Sequence, residues 1–194
     1  MTSLRQSATF YIRTYDNMLS PELCGQLQGL LDSAIGSFNE PWRRCKVFEG
    51  LDSTGLYEPV RTQLRKCFQA YVEDTGAATL HRVGMLESPN LFRYVPDDTA
   101  GENLFSLHAD AWNMETASRA VSIIAYLNDV SKGGETRFPL LDFGARPKSG
   151  SVLLFPSNWS FEHEGLPPKS GPKDVLVSWL HWAGVGHHFR VAAL

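Results

Sequence analysis

With 194 residues, 43% of them hydrophobic, the chain is long enough for one domain with a well-buried core and short for two, so a single domain spanning 1–194 is expected. Its formal net charge of −3, from 18 basic and 21 acidic residues dispersed along the chain, excludes the charged footprint of a nucleic-acid binder. No stretch is apolar enough to cross a bilayer, and Met1 to Asp16 lacks the apolar run of a signal peptide; Cys24, Cys45 and Cys67 fit neither a disulfide framework nor a close-spaced zinc site, so no membrane partner and a reducing cytoplasm are expected.

Phe10, Ile12 and Tyr15 predict a short strand. Ser20-Pro21-Glu22 then supplies an N-cap, a proline for the first helical position and an acid in the first turn. Leu23, Leu27, Leu30, Leu31 and Ala34 follow at helical spacing, and Gly36 stands where the pattern stops. Asn39 to Thr54 reads as loop. A second helix is predicted from about Glu58 to Glu73, where Val60, Leu64, Cys67, Phe68, Tyr71 and Val72 share one face. These two helices make a helical support over about 20–75.

After Gly76 short apolar or alternating runs are punctuated by glycine, proline and asparagine, the texture of antiparallel β structure. Strands are predicted at Asn90 to Val95, Asn103 to Ala109, Ala120 to Asn128, Thr136 to Phe138, Ser151 to Phe155, Asp174 to Trp182 and His188 to Ala192. They come too often for intervening helices, so the fold class is mainly β, a sandwich or barrel over about 90–192 with two N-terminal helices packed on it. Pro96 to Glu102 reads as a mobile surface loop beside the strand that carries His108.

That strand ends in His108-Ala109-Asp110. Residues two apart on a strand point to one face, so an imidazole and a carboxylate converge there. A third ligand from a distant strand would complete a two-histidine, one-carboxylate set that leaves three positions open on Fe(II), and His163 is the candidate. Taken alone, the triplet is a weak signal, and a surface turn at a strand end is the more common reading of it.

The surrounding motifs separate the two readings. Arg93-Tyr94 precedes the triplet, and Arg119 with Tyr126-Leu127-Asn128-Asp129 follows it. Next come Gly133-Gly134-Glu135-Thr136-Arg137-Phe138-Pro139, then Pro147, Gly150 and Phe155-Pro156, then His163, Gly171-Pro172-Lys173 and Val177 to Trp182. In this order the chain, over roughly Phe92 to Trp182, resembles the prolyl 4-hydroxylase-like branch of the Fe(II)/2-oxoglutarate-dependent dioxygenases. Tyr15 to Glu22 is also similar to the start of that family's catalytic domain.

The resemblance implies a double-stranded β-helix, the cupin-like jelly-roll, with iron and 2-oxoglutarate between its two sheets and His108, Asp110 and His163 as metal ligands. It implies hydroxylation of an unactivated C–H bond with dioxygen, 2-oxoglutarate being converted to succinate and carbon dioxide, with ascorbate as a supporting reductant. Lys173 falls where the family places the cation for the 5-carboxylate of 2-oxoglutarate. Tyr94 and Tyr126 resemble its co-substrate-binding hydroxyls, although either also fits as a core aromatic. On a strand beginning at Lys173, Val175, Val177, Trp179 and His181 share its face, so Lys173 and Trp179 can both point inward; Trp179 and Thr136 are further pocket candidates.

Trp112 and Asn113 stand outside the assigned set. Arg93, Arg119 and Arg137 fit an anionic substrate group or ion pairing equally, and His81, His187 and His188 read as surface histidines. Two departures from the family pattern stand out: Asp174 follows Lys173 where an aromatic or apolar residue is usual, and the stretch from Tyr94 to His108 is long. The favoured substrate is a prolyl or other amino-acid residue in a peptide or protein. Alternatives are a free amino acid or small natural product and, in another class, a non-catalytic jelly-roll that binds a metal or partner. Asp110 disfavours a halogenase, and the acidic balance with a lysine at the co-substrate position disfavours a nucleic-acid demethylase.

Overall fold

The computed structural model describes residues 8–40, 43–96, 105–183 and 191–193. Most of the loop expected from Pro96 to Glu102, together with His187 and His188, lies outside the described residues. Helix α1 (Pro21–Ser33) starts as its sequence dictates: Pro21 opens the first turn, and the Ser20 hydroxyl accepts a 3.1 Å hydrogen bond from the Leu23 amide. Its buried face carries Leu23, Leu27 and Leu31. Helix α2 (Tyr57–Thr75) buries Val60, Leu64, Cys67, Phe68 and Tyr71 and stops at Gly76, whose φ of 60° is the left-handed conformation of a helix end.

Among the described residues there are thirteen strands. The first five are β1 (Arg13–Tyr15), β2 (Gly36–Glu40), β3 (Arg43–Phe48), β4 (Val83–Glu87) and β5 (Asn90–Tyr94). Then come β6 (Phe105–His108), β7 (Arg119–Tyr126), β8 (Thr136–Phe138) and β9 (Phe143–Ala145), and last β10 (Val152–Pro156), β11 (His163–Gly165), β12 (Lys173–Trp182) and β13 (Val191–Ala193). The stretch from Asn39 to Thr54, expected as loop, is largely strand: β2 and β3 form a hairpin, so the support over 20–75 is not purely helical. The reason is tertiary. Cys45 and Val47 are buried, and β3 pairs with β5 through Lys46–Arg93, Val47–Phe92 and Phe48–Leu91.

Neighbouring strands are antiparallel and follow the order β1-β10-β7-β12-β5-β3-β6-β11-β8-β9. Period-two alternation gives the central strands two buried faces. Val121, Ile123 and Ala125 of β7, Val152 and Leu154 of β10, and Leu176 and Leu180 of β12 pack with the leucines of α1 and α2. The opposite faces carry Tyr126, Leu153, Phe155 and Val175, which pack against Phe138 of β8 and Ala145 of β9, from the far end of the strand path. The path therefore closes on itself as a double-stranded β-helix with the helices outside one sheet. Each large apolar side chain buried this way contributes about 1.5–3 kcal/mol. The space left between the sheets opens where β6, β11 and the start of β12 meet.

Candidate active site

His108, the last residue of β6, and His163, the first of β11, are direct cross-strand partners, with ring centroids 4.4 Å apart. Asp110 lies two residues beyond His108, where the adjoining Ala111 amide donates to the Ser157 carbonyl at 2.8 Å. The Asp110 carboxylate is 3.5 Å from His108 Nε2 and 3.7 Å from His163 Nε2, and one ligand-type atom from each of the three residues lies within 4.8 Å of the others. Such a set could hold a metal ion.

Local chemistry sets the direction of each donor atom. His108 Nδ1 is 2.7 Å from the Ser106 carbonyl, and His163 Nδ1 is 3.2 Å from the Phe161 carbonyl. A carbonyl only accepts, so Nδ1 carries the proton in both rings and each Nε2 presents a lone pair. Burial among Phe138 and Phe155 pushes the His163 imidazole down to about 4, which keeps it neutral near pH 7. Burial alone would raise the Asp110 carboxyl. The two imidazoles and a 2.5 Å hydrogen bond from Ser122 outweigh it and hold that group well below the usual carboxylate range. His108 Nε2 is buried with no hydrogen-bond partner among the described residues, as expected of an atom kept for a metal.

Beside this cluster a pocket, partly open to solvent, runs between the sheets and is lined by Tyr94, Thr136, Gly165, Lys173, Val175 and Trp179 among others. Lys173 lines it and is only 4% exposed. Burial pushes its ammonium down to about 8, opposed by the nearby Glu135 carboxylate. A Cβ on Gly165 would stand 3.9 Å from Lys173 Nζ, so the glycine leaves room beside the ammonium. A buried ammonium at the end of a mostly apolar pocket, across from the histidine–aspartate cluster, fits a dicarboxylate that reaches both.

Tyr94 and Tyr126 flank that ammonium, their ring centroids 5.9 and 5.7 Å from Nζ. Tyr94 lines the pocket, with Arg43 and Cys45 against its hydroxyl. The Tyr126 hydroxyl donates to Thr136 Oγ1 at 2.8 Å and is one layer back. Burial pushes both phenols well above their usual range.

A second, more open cleft adjoins the outer side of the cluster and is lined by Arg43, His108, Asp110, Trp112, Arg119 and Trp179. Trp112 is 72% exposed at its rim. The three arginines left ambiguous by the sequence are all in ion pairs: Arg93 with Asp174 and Asp32, Arg119 with Glu87, and Arg137 with Glu164. Arg119 also lies over the Trp179 ring, its guanidinium carbon 3.6 Å from the centroid. His81 is exposed.

Sequence reasoning missed Ser122 and Arg43. Ser122 had a readable signal, a polar residue on the inward parity of an otherwise apolar strand. Arg43 had none, because it belongs to the hairpin expected as loop.

Residues 90–181 match the model of the 2OG-Fe(II) oxygenase superfamily. The matched segment, 92 of the 194 residues, runs from β5 into β12 and includes His108, Asp110, His163 and Lys173. Over 76 residues the chain is 37% identical to prolyl 4-hydroxylase subunit alpha-1 of Gallus gallus, a match that spans 36% of this chain and 15% of that relative. The viral collagen prolyl hydroxylase of Paramecium bursaria Chlorella virus-1, in its complex with 2OG, superposes with a TM-score of 0.65 at 23% identity, covering 89% of this chain and 97% of that one. A Trichoplax adhaerens prolyl hydroxylase, in complex with a hypoxia inducible factor peptide, does so with a TM-score of 0.65 at 16% identity, covering 92% and 86%. At these identities the structural likeness establishes the fold alone, a double-stranded β-helix.

Proposed function

We propose that the protein is an Fe(II)- and 2-oxoglutarate-dependent hydroxylase acting on a prolyl or other amino-acid residue in a peptide. The observation that carries this reading is the meeting, at one pocket, of three buried metal-type donors and one buried lysine. His108 and His163 would hold the metal through Nε2 and Asp110 through its carboxylate, a two-histidine, one-carboxylate donor set suited to Fe(II). Lys173 neutralises the remote carboxylate of 2-oxoglutarate, Tyr94 borders it, and Tyr126 fixes Thr136 in the pocket wall. When bound, the iron and 2-oxoglutarate supply with dioxygen the oxidant that converts an unactivated C–H bond to an alcohol.

The remaining work belongs to the protein. Val175, Val177 and Trp179 give the pocket an apolar wall that excludes water from the lysine–carboxylate pair. Trp112, Trp179 and Arg119 shape the outer cleft through which a peptide reaches the metal. A peptide substrate is supported by the relatives, named prolyl hydroxylases, one of them in complex with a peptide. A reducing, cytoplasmic setting suits three cysteines that are all buried free thiols.

The test is succinate release from 2-oxoglutarate with Fe(II) and ascorbate, followed by mass analysis of proline-containing peptides and free proline. A gain of one oxygen on a peptide is expected. Succinate release that no peptide stimulates, with oxygen gained by a free amino acid, would overturn the peptide assignment. No succinate from iron-loaded protein under any of these conditions would overturn the hydroxylase reading.

A further inference from the structure

The residue after Lys173 is a carboxylate buried on the opposite face of β12. Asp174 is fully buried, yet both of its oxygens are matched: Oδ1 accepts from Arg93 Nε at 2.6 Å, and Oδ2 from Arg93 Nη2 at 2.8 Å and Gln28 Nε2 at 2.7 Å. Arg93 and Asp174 are cross-strand partners between β5 and β12, and so are their neighbours Tyr94 and Lys173. The ion pair on the outer face therefore stands directly behind the Tyr94–Lys173 pair on the inner face, and Gln28 ties both to α1. A second residue acts on the backbone. Asn128 donates from Nδ2 to the Pro172 carbonyl at 2.7 Å and accepts at Oδ1 from the Asp174 amide at 2.8 Å, so it brackets Lys173 from both sides.

A buried ion pair is a poor stabiliser, because desolvation offsets most of the attraction and an apolar side chain would pack as well. What such a pair supplies is a defined geometry. Lys173 needs one: its side chain is long and flexible, and its ammonium forms no salt bridge among the described residues. With the tip unanchored, the fixed position of its root decides where the charge stands in the pocket.

We infer that Asp174 and Asn128 are positioning residues that hold the Lys173 ammonium in register for the remote carboxylate of 2-oxoglutarate; this rests on the function proposed above. The unusual carboxylate beside the lysine thus acts through the lysine, from the other side of the strand.

The test compares 2-oxoglutarate with 2-oxobutyrate, the same 2-oxo acid without the 5-carboxylate. Each is titrated calorimetrically and anaerobically into Fe(II)-loaded protein, and the ratio of the two dissociation constants reads the lysine contact alone. In Asp174→Ala and Asn128→Ala that ratio should fall by about fivefold or more, with 2-oxobutyrate and metal binding within about twofold of the parent. In a Lys173→Ala background neither change should lower it further, since residues that act through one group are not additive. Should Asp174→Ala fail to fold, Arg93→Lys and Asn128→Ala carry the comparison.

A parental ratio in the variants, with a collapsed ratio in Lys173→Ala, would overturn the inference and leave the proposed function standing. Equal weakening of both acids would also overturn it, by showing a merely structural role. A parent protein that does not distinguish the two acids would remove the proposed function itself.

Discussion

In the function proposed above, the charge on Lys173 decides whether the co-substrate is held. Its ammonium, pushed down to about 8 by burial, is charged near neutral pH and loses its proton above that value. A dicarboxylate binds the charged form. Binding below about pH 8 therefore takes up no proton at this site, whereas above it the ligand must bring the proton back. The dissociation constant of 2-oxoglutarate should be flat from about pH 7 to about pH 8 and rise by up to about tenfold per unit beyond, while Lys173→Arg, which keeps its charge, should stay flat. Lys173→Ala should weaken 2-oxoglutarate by roughly 30-fold or more, because losing one partner of a desolvated pair costs about 2–5 kcal/mol and about 1.4 kcal/mol is tenfold. Iron binding should be unchanged in the same variant. An anaerobic titration at each pH checks both expectations. Ser122 offers a separate test: its hydroxyl is the hydrogen bond that orients Asp110, so Ser122→Ala should lower Fe(II) affinity by about 10–100-fold with the fold intact, read by competition with a metal chelator.

At the scale of elements, the joint between β1 and α1 depends on Gly150. Its φ is 75°, its carbonyl accepts from the Met18 and Leu19 amides at 2.8 and 3.0 Å, and a Cβ there would stand 2.4 Å from the Leu19 carbonyl oxygen. Gly150→Ala should destabilise the protein by about 1–3 kcal/mol from backbone strain, with a further loss from the clash, measured by urea denaturation. Elements with strong local periodicity were legible in the sequence. Helix α1 declared its cap, and β7, β10 and β12 showed as short apolar runs because both of their faces are buried. The β2–β3 hairpin was not legible, since Arg43, Arg44 and Lys46 mask its alternation and the partner that stabilises it, β5, lies more than forty residues on in sequence. Strand β11 is only three residues long, so His163 was found from its motif context and not from any pattern of its own.

For the whole molecule, the two packed faces of one sheet divide the labour. The face toward α1 and α2 is apolar apart from the Asp174–Arg93–Gln28 cluster and Ser178, whereas the inner face gives up part of its core to the pocket that holds Lys173 and the histidine–aspartate cluster. Among the described residues no helix is long and apolar enough to cross a membrane. The histidine–aspartate cluster was readable because its triplet and its distant histidine sit within an ordered run of motifs, while Ser122, Arg43 and the Asp174 cluster depend on strand neighbours that only the fold brings together. A site built at this junction couples ligand binding to global stability: at about 100 times its dissociation constant, 2-oxoglutarate should add about 2.7 kcal/mol to the iron-loaded protein, visible as a raised melting temperature. The most direct test of the central claim is an anaerobic titration of 2-oxoglutarate into the Fe(II)-loaded protein, following the visible metal-to-ligand charge-transfer band of the chelate. The account predicts a band that saturates at one 2-oxoglutarate per chain and is absent in the His108→Ala and His163→Ala variants; no band from protein shown to hold stoichiometric Fe(II), or an undiminished band in those variants, would contradict it.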